Sequence, residues 1–165
     1  MAQIIDLAYG VIDRYSAADK CSRARVIQSI YLIDWWLCLH FGIRACNVEW
    51  IYDSKRGPYS QMVMDDIEKS ASGVLALEEA ESIDSNVVIK ICRIQNPTYS
   101  PKLTDAERES LETVVATTQE MDWSAFNSFV HSTYPLQILN RGELIDIMEL
   151  AQRYKSLLYS QYRKV

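Results

Sequence analysis

Residues 23–41, RARVIQSIYLIDWWLCLHF, decide the fold. A helix drawn through them carries apolar side chains on almost every face: Val26, Ile27, Ile30, Tyr31, Leu32, Ile33, Trp35, Trp36, Leu37 and Leu39. A helix apolar all round belongs at the centre of a core, with other elements packed about it. Asp19 or Ser22 suits its N-cap, and Gly42 supplies its C-terminal stop. The stretch 30–41, broken by Asp34 and His40, falls short of the roughly 20 apolar residues that a membrane span requires.

Working outward, Ile4, Ile5, Ala8, Val11, Ile12 and Tyr15 recur at helical spacing, which predicts an amphipathic helix over 3–15. Val48-Glu49-Trp50-Ile51-Tyr52 is branched and aromatic and reads as a strand. Residues 53–58, ending in Gly57-Pro58, read as a turn. Ser60 can cap a helix running to about Ser70, with Met62, Val63 and Ile67 inward. Strands are expected at 74–77 and 87–94, joined by an acidic loop from Glu78 to Asp84. The segment 96–102 is a loop.

Thr104 and Glu107 form a capping box that opens a helix to about Glu120. Ser124 can cap a short helix ending near His131, and Pro135 marks an irregular connection. A long helix over 143–162 places Leu144, Ile147, Met148, Ala151, Tyr154, Leu158 and Tyr162 on one stripe. The expectation is one mostly helical α+β domain over 1–165, with five to six helices and a small antiparallel sheet or hairpin.

Composition bounds the function. Of 165 residues, 48% are hydrophobic and 24% charged, with a formal charge of −5. This is the mixture of a globular domain, long enough to need no disulfide or metal. Net acidity argues against nucleic acid as the main partner, because phosphate binding normally needs a positive surface. The acidity is concentrated: residues 61–100 hold seven acids against three bases, a net of −4. That region reads as a solvated face or as a surface steering toward a basic partner.

Cys21, Cys38, Cys46 and Cys92 match no zinc spacing and are expected to be free thiols in a cytoplasmic protein. Met1–Gly10 contains Asp6, lacks a basic n-region and does not read as a secretory signal. No cofactor and no metal site is read from the chain.

Three constellations stand out. Asp34 is an acid inside the most apolar helix. It is either a structural carboxylate with a hydrogen-bonding partner or a functional group with a perturbed environment. Gly57-Pro58-Tyr59-Ser60, preceded by Lys55-Arg56, can present Tyr59 and backbone N–H groups to a partner or be simply a well-made turn. It is not a phosphate loop, having one Gly and no G-K-[ST] ending. His131 sits near a helix end, where a lone histidine usually serves the helix dipole rather than catalysis.

Four segments in order resemble the Panacea domain family. The first is residues 28–42, QSIYLIDWWLCLHFG, containing Tyr31, Asp34, Trp35 and the Gly42 stop. The second is residues 50–60, WIYDSKRGPYS, an aromatic strand followed by a Gly-Pro helix entrance. The third is Leu103-Thr104-Asp105-Ala106-Glu107. The fourth runs from Trp123-Ser124-Ala125-Phe126 through Val130-His131-Ser132-Thr133-Tyr134-Pro135. The blocks span about 23–136. The chain departs from the pattern after Pro135, where Leu136-Gln137-Ile138 stands in place of a Trp.

The resemblance implies an intracellular helical domain with a small sheet, of bacterial or phage context, acting as an antitoxin by direct contact with a toxin. It also admits an adaptor that delivers a toxin to a protease. In this light Tyr31, Asp34, Trp35, Gly42, Gly57, Pro58, Ser60, His131 and Pro135 are framework residues. Trp50, Tyr52, Lys55, Arg56 and Tyr59 are the candidate partner-binding residues, since aromatic and arginine anchors suit an interface if exposed.

The expected partner is therefore a protein, not a membrane, and self-association is left open. Two alternatives stand beside the antitoxin reading. One is a phage or mobile-element factor that binds a host protein. The other is a small hydrolase or nuclease using Asp34 or Asp53 with Lys55 and His131, which requires those side chains to meet in one solvent-connected pocket.

Overall fold

The computed structural model describes residues 1–17, 21–69, 73–81 and 87–162. The chain opens with α1 (Ile4–Arg14), which buries Ile4, Leu7, Ala8, Val11 and Ile12 at helical spacing. Helix α2 (Arg23–Phe41) follows, with Ser22 Oγ accepting the Arg25 N–H and Gly42 closing the helix in the left-handed region at φ 68°. The other suggested cap, Asp19, lies outside the described residues, as do Ser70 and Asp84 of the expected helix and loop.

After α2 come β1 (Trp50–Asp53), β2 (Gly57–Tyr59), α3 (Gln61–Lys69), β3 (Leu75–Glu81) and β4 (Val88–Ile94). They are followed by α4 (Asp105–Thr118), α5 (Trp123–His131), α6 (Tyr134–Ile138), β5 (Leu144–Ile145) and α7 (Ile147–Tyr162). Helix α2 is the axis: α1, α4 and α7 pack on it, and β2 and β4 touch it from the two sheets. The domain is α+β and mostly helical, with seven helices among the described residues. None of them is long and apolar enough to cross a membrane.

One antiparallel sheet has the order β2-β1-β5, with Tyr52 opposite Pro58 and Trp50 opposite Ile145. The other is the β3–β4 hairpin, in register from Leu75 opposite Ile94 to Glu81 opposite Val88. Several expectations are corrected here. Gly57 and Pro58 form a strand rather than a helix entrance, and Pro58 is tolerated because β2 is an edge strand. Ser60 does not cap α3 with its side chain. Its Oγ is buried without a hydrogen-bond partner among the described residues, while its carbonyl accepts the Met64 N–H. Met62 faces outward, leaving Val63 and Ile67 as the buried residues of α3.

Glu78 to Glu81 belong to β3, not to a loop. Glu79 stands opposite Lys90, and the Glu78 carboxylate accepts from Arg93 Nε at 3.1 Å, so cross-strand charge pairs support an acidic strand. Alternation fails within β4, where adjacent Ile91 and Cys92 are both buried. The reason is non-local: Ser22 bridges Ile91, and Cys21 accepts the Cys92 N–H at 2.8 Å, so this point is covered on both sides.

Thr104 and Glu107 make the expected capping box. Helix α5 is capped by Asp122 rather than Ser124, through Ala125 N at 2.7 Å. Pro135 opens the short helix α6 instead of an irregular connection. A first-turn proline loses no helical hydrogen bond. The last helix begins only at Ile147, because Leu144 and Ile145 pair with β1. Ile147, Leu150 and Ala151 form its buried stripe, and Leu144, Leu158 and Tyr162 are exposed.

Arg25 links the helices on the far side of α2. It is buried, its guanidinium lies 4.4 Å over Phe126 and 5.2 Å over Tyr15, and it donates to the carbonyls of Thr118 and Met121. The carbonyl end of a helix carries partial negative charge, so the end of α4 holds this cation without a carboxylate.

All four cysteines are buried, and Cys38, Cys46 and Cys92 are free thiols. Burial pushes the Cys38 and Cys92 thiols up to about 12, since desolvation penalises the thiolate. At pH 8 a thiol of that pKa is thiolate in about one molecule in ten thousand. A disulfide reagent is therefore expected to titrate these two thiols only after denaturant is added. The same shift sets a pH window. An unfolded thiol loses its proton near 9 and the folded one near 12, so the folded state binds more protons between those values. Stability is expected to hold below about pH 9 and to decline as pH rises toward 12, read by urea titration at several alkaline pH values. Rapid labelling of Cys38 and Cys92 in the native protein at pH 8 would contradict this burial.

Candidate interaction surface

The surface is built on the buried carboxylate of Asp34. Asp34 is 0% exposed, and its two oxygens accept from Arg44 Nε at 3.0 Å, Arg44 Nη2 at 2.8 Å, Ala45 N at 2.8 Å and Trp50 Nε1 at 2.9 Å. Arg44 also donates to the Val48 carbonyl at 2.7 Å. One carboxylate thereby ties α2 to the segment that leads into β1. Burial opposes the Arg44 charge, but the Asp34 hydrogen bond and field outweigh it, and the guanidinium is held above its usual range. Beside this group the Tyr31 ring meets Trp50 edge-on at 5.6 Å, and its hydroxyl pairs with Thr133 Oγ1 at 3.0 Å.

From that base the β1–β2 hairpin projects. Asp53 Oδ1 accepts the N–H groups of Lys55 and Arg56, each at 2.9 Å, and these two hydrogen bonds hold its carboxyl below the usual range. Gln28 Nε2, from α2, donates to the Arg56 carbonyl at 2.8 Å. Gly57 turns the chain at φ 75° directly against His131 and Gln28. His131 Nδ1 lies 2.8 Å from the Asn127 carbonyl. A carbonyl only accepts, so Nδ1 is the donor in this bond.

Two arginines lie on tyrosine faces around the tip. Arg56 stands 4.3 Å over Tyr59, and Arg141 stands 5.3 Å over Tyr52 and donates to the Ser54 carbonyl. Tyr59 is steadied in turn by donating to Gln61 Oε1 at 2.6 Å.

The expected partner-binding residues therefore divide. Trp50 at 1% and Tyr52 at 7% exposure belong to the core, which corrects their placement as surface anchors. An aromatic strand residue serves either role, and here the Asp34 bond and the Tyr31 contact draw Trp50 inward. Lys55 and Arg56 are exposed and Tyr59 is half-buried. Arg141 was not marked by its sequence, because only the pairing of Tyr52 with the 142–143 backbone brings it to the tip.

The framework residues Tyr31, Asp34, Gly57 and His131 all converge on this hairpin. Trp35 packs instead on Tyr154 of α7, Gly42 ends α2 in open space, and Pro135 lies in the first turn of α6.

Of the acids in the hydrolase constellation, neither is presented on a free surface through the oxygens that bind protein N–H groups. Asp34 is sealed on Arg44, Ala45 and Trp50, and Asp53 is occupied by its turn. Two shallow depressions of about 300 and 230 Å³ lie elsewhere, the first against Leu139, Leu144 and Leu150 and the second against Ile4, Val48 and Met62. Among the described residues no group of three His, Cys, Asp or Glu side chains is disposed to hold a metal ion. No family model, no curated protein and no solved structure matches the chain.

Proposed function

We propose that this chain is a protein-binding module of antitoxin type, which acts in the cytoplasm by covering the active surface of a cognate toxin or by delivering it to a protease. One observation carries the reading. Residues from three of the segments that resemble Panacea domains (Gln28, Tyr31 and Asp34; Trp50 and Gly57; His131 and Thr133) meet beneath one hairpin, and its tip exposes Lys55 and Arg56. A tip held by several hydrogen bonds to its own backbone loses little freedom on binding, and that lowers the entropic cost of association. Arginine and tyrosine are also the side chains most enriched where interfaces gain their energy.

The test is co-expression with the protein encoded beside it. The module should restore growth of cells that make that protein, and the two should co-purify. If growth stays arrested and nothing co-purifies, the reading is wrong. If a host protein is captured instead, the partner is a host factor and the antitoxin reading fails.

A further inference from the structure

The arginines of this protein are not alike. Arg14, Arg23, Arg44 and Arg93 each hold a carboxylate, on Glu112, Glu68, Asp34 and Glu78. Arg56 and Arg141 do not: among the described residues they and Lys55 make no ion pair, and the two guanidinium groups rest on tyrosine rings instead. The nearby acids are committed to backbone, Asp53 to the N–H groups of Lys55 and Arg56, and Glu143 to that of Asn140. Three cations that form no ion pair among the described residues thus gather at one hairpin tip, outnumbering the Asp53 and Glu143 carboxylates beside them, in a protein whose formal charge is −5.

A guanidinium stacked on a ring keeps edge N–H groups oriented in the fork geometry that matches a carboxylate; Arg141 commits one of its nitrogens to the Ser54 carbonyl and keeps the others for a ligand. We infer that the β1–β2 tip, with Arg141, docks an acidic segment of a partner protein, whose Asp or Glu carboxylates pair with Arg56 and Arg141. The inference rests on the module reading above and names the partner's chemistry. Carboxylates fit better than a nucleic-acid backbone. The rest of the molecule is strongly negative and repels a long polyanion, whereas a short acidic segment on a folded partner meets only the tip.

The probes are fluorescein-labelled peptides rich in Glu, the same peptides with Gln in place of Glu, and a single-stranded RNA oligonucleotide, titrated against the full chain. The Glu peptide should bind and weaken as salt is raised, and the Gln peptide should not bind. The double variant Arg56→Glu/Arg141→Glu should lose about tenfold or more in affinity while the protein stays folded, because both side chains are exposed and only their contacts with Tyr59, Tyr52 and the Ser54 carbonyl are lost. Arg56→Lys/Arg141→Lys should fall between the two, since lysine keeps charge without the fork.

Equal binding of Glu and Gln peptides, or of wild type and the charge-reversed variant, overturns the inference. Tighter binding of RNA than of the Glu peptide overturns it in favour of a nucleic-acid ligand. Growth rescue is scored separately. If the charge-reversed variant rescues as well as wild type, the docking inference fails and the module reading stands. If wild type neither rescues nor co-purifies, the module reading fails whatever the peptides do.

Discussion

Asp34→Ala is expected to cost about 3–5 kcal/mol of folding stability, the range found when one partner of a buried ion pair is removed. The loss has three sources at this site. Arg44 is left as a partly buried cation without its carboxylate. The Ala45 N–H and the Trp50 indole N–H, both in the interior, lose the carboxylate oxygens that accept them. A small cavity also opens beside Trp50.

Three companions apportion the total. Trp50→Phe removes one donor and keeps the ring, and should cost about 1–3 kcal/mol. Arg44→Ala leaves the carboxylate with its two other donors and should cost less than Asp34→Ala. The double variant Asp34→Ala/Arg44→Ala should cost clearly less than the sum of the singles, because the charge left stranded by each is then absent. Urea unfolding with the slope held constant measures all four. A loss below about 1 kcal/mol for Asp34→Ala would mean the carboxylate is not the buried staple described here.

That staple was half legible in the sequence. An acid inside the most apolar stretch demands a partner on energetic grounds, so Asp34 announces itself. Which partner it takes does not follow, because Arg44 and Trp50 reach it only after the chain turns at Gly42. The same division runs through the fold. Helix α2 and the Thr104–Glu107 box are local in cause, set by side chains within one or two turns, and they emerge where expected.

Strand β5, the strand role of Pro58 and the burial of Arg25 depend on neighbours far along the chain. Leu144 and Ile145 carry a helical pattern yet pair with β1, and Arg25 is buried by rings from Tyr15 and Phe126. The candidate surface divides likewise. Lys55, Arg56 and Tyr59 are adjacent in sequence and read together, whereas Arg141 joins them only through the sheet.

Gly57→Ala is expected to destabilise by about 2–4 kcal/mol, against about 1–2 kcal/mol for Gly42→Ala, and the difference separates two causes. Both glycines have positive φ, 75° and 68°, so both substitutions place a Cβ in the left-handed region. At Gly42 nothing lies within 4 Å of that Cβ, and the backbone conformation is the whole cost. At Gly57 the Cβ would stand 3.2 Å from His131 Cε1 and 3.3 Å from Gln28 Nε2. Neither neighbour is free to retreat. His131 is pinned by Nδ1 to the Asn127 carbonyl, and Gln28 by its bond to the Arg56 carbonyl. Yielding on either side breaks a partly buried hydrogen bond, worth about 1 kcal/mol each.

Repeating Gly57→Ala in a His131→Ala background removes one wall, so the penalty should shrink toward that of Gly42→Ala without reaching it, because Gln28 remains. Thermal and urea unfolding of the four variants decide the matter. Equal penalties at the two glycines would show that His131 and Gln28 do not close on the hairpin. Where they do close on it, Gly57→Ala must also displace the Arg56 carbonyl. It should then weaken binding of the Glu peptide at temperatures where the fold is intact, an effect that Gly42→Ala, remote from the tip, has no route to produce.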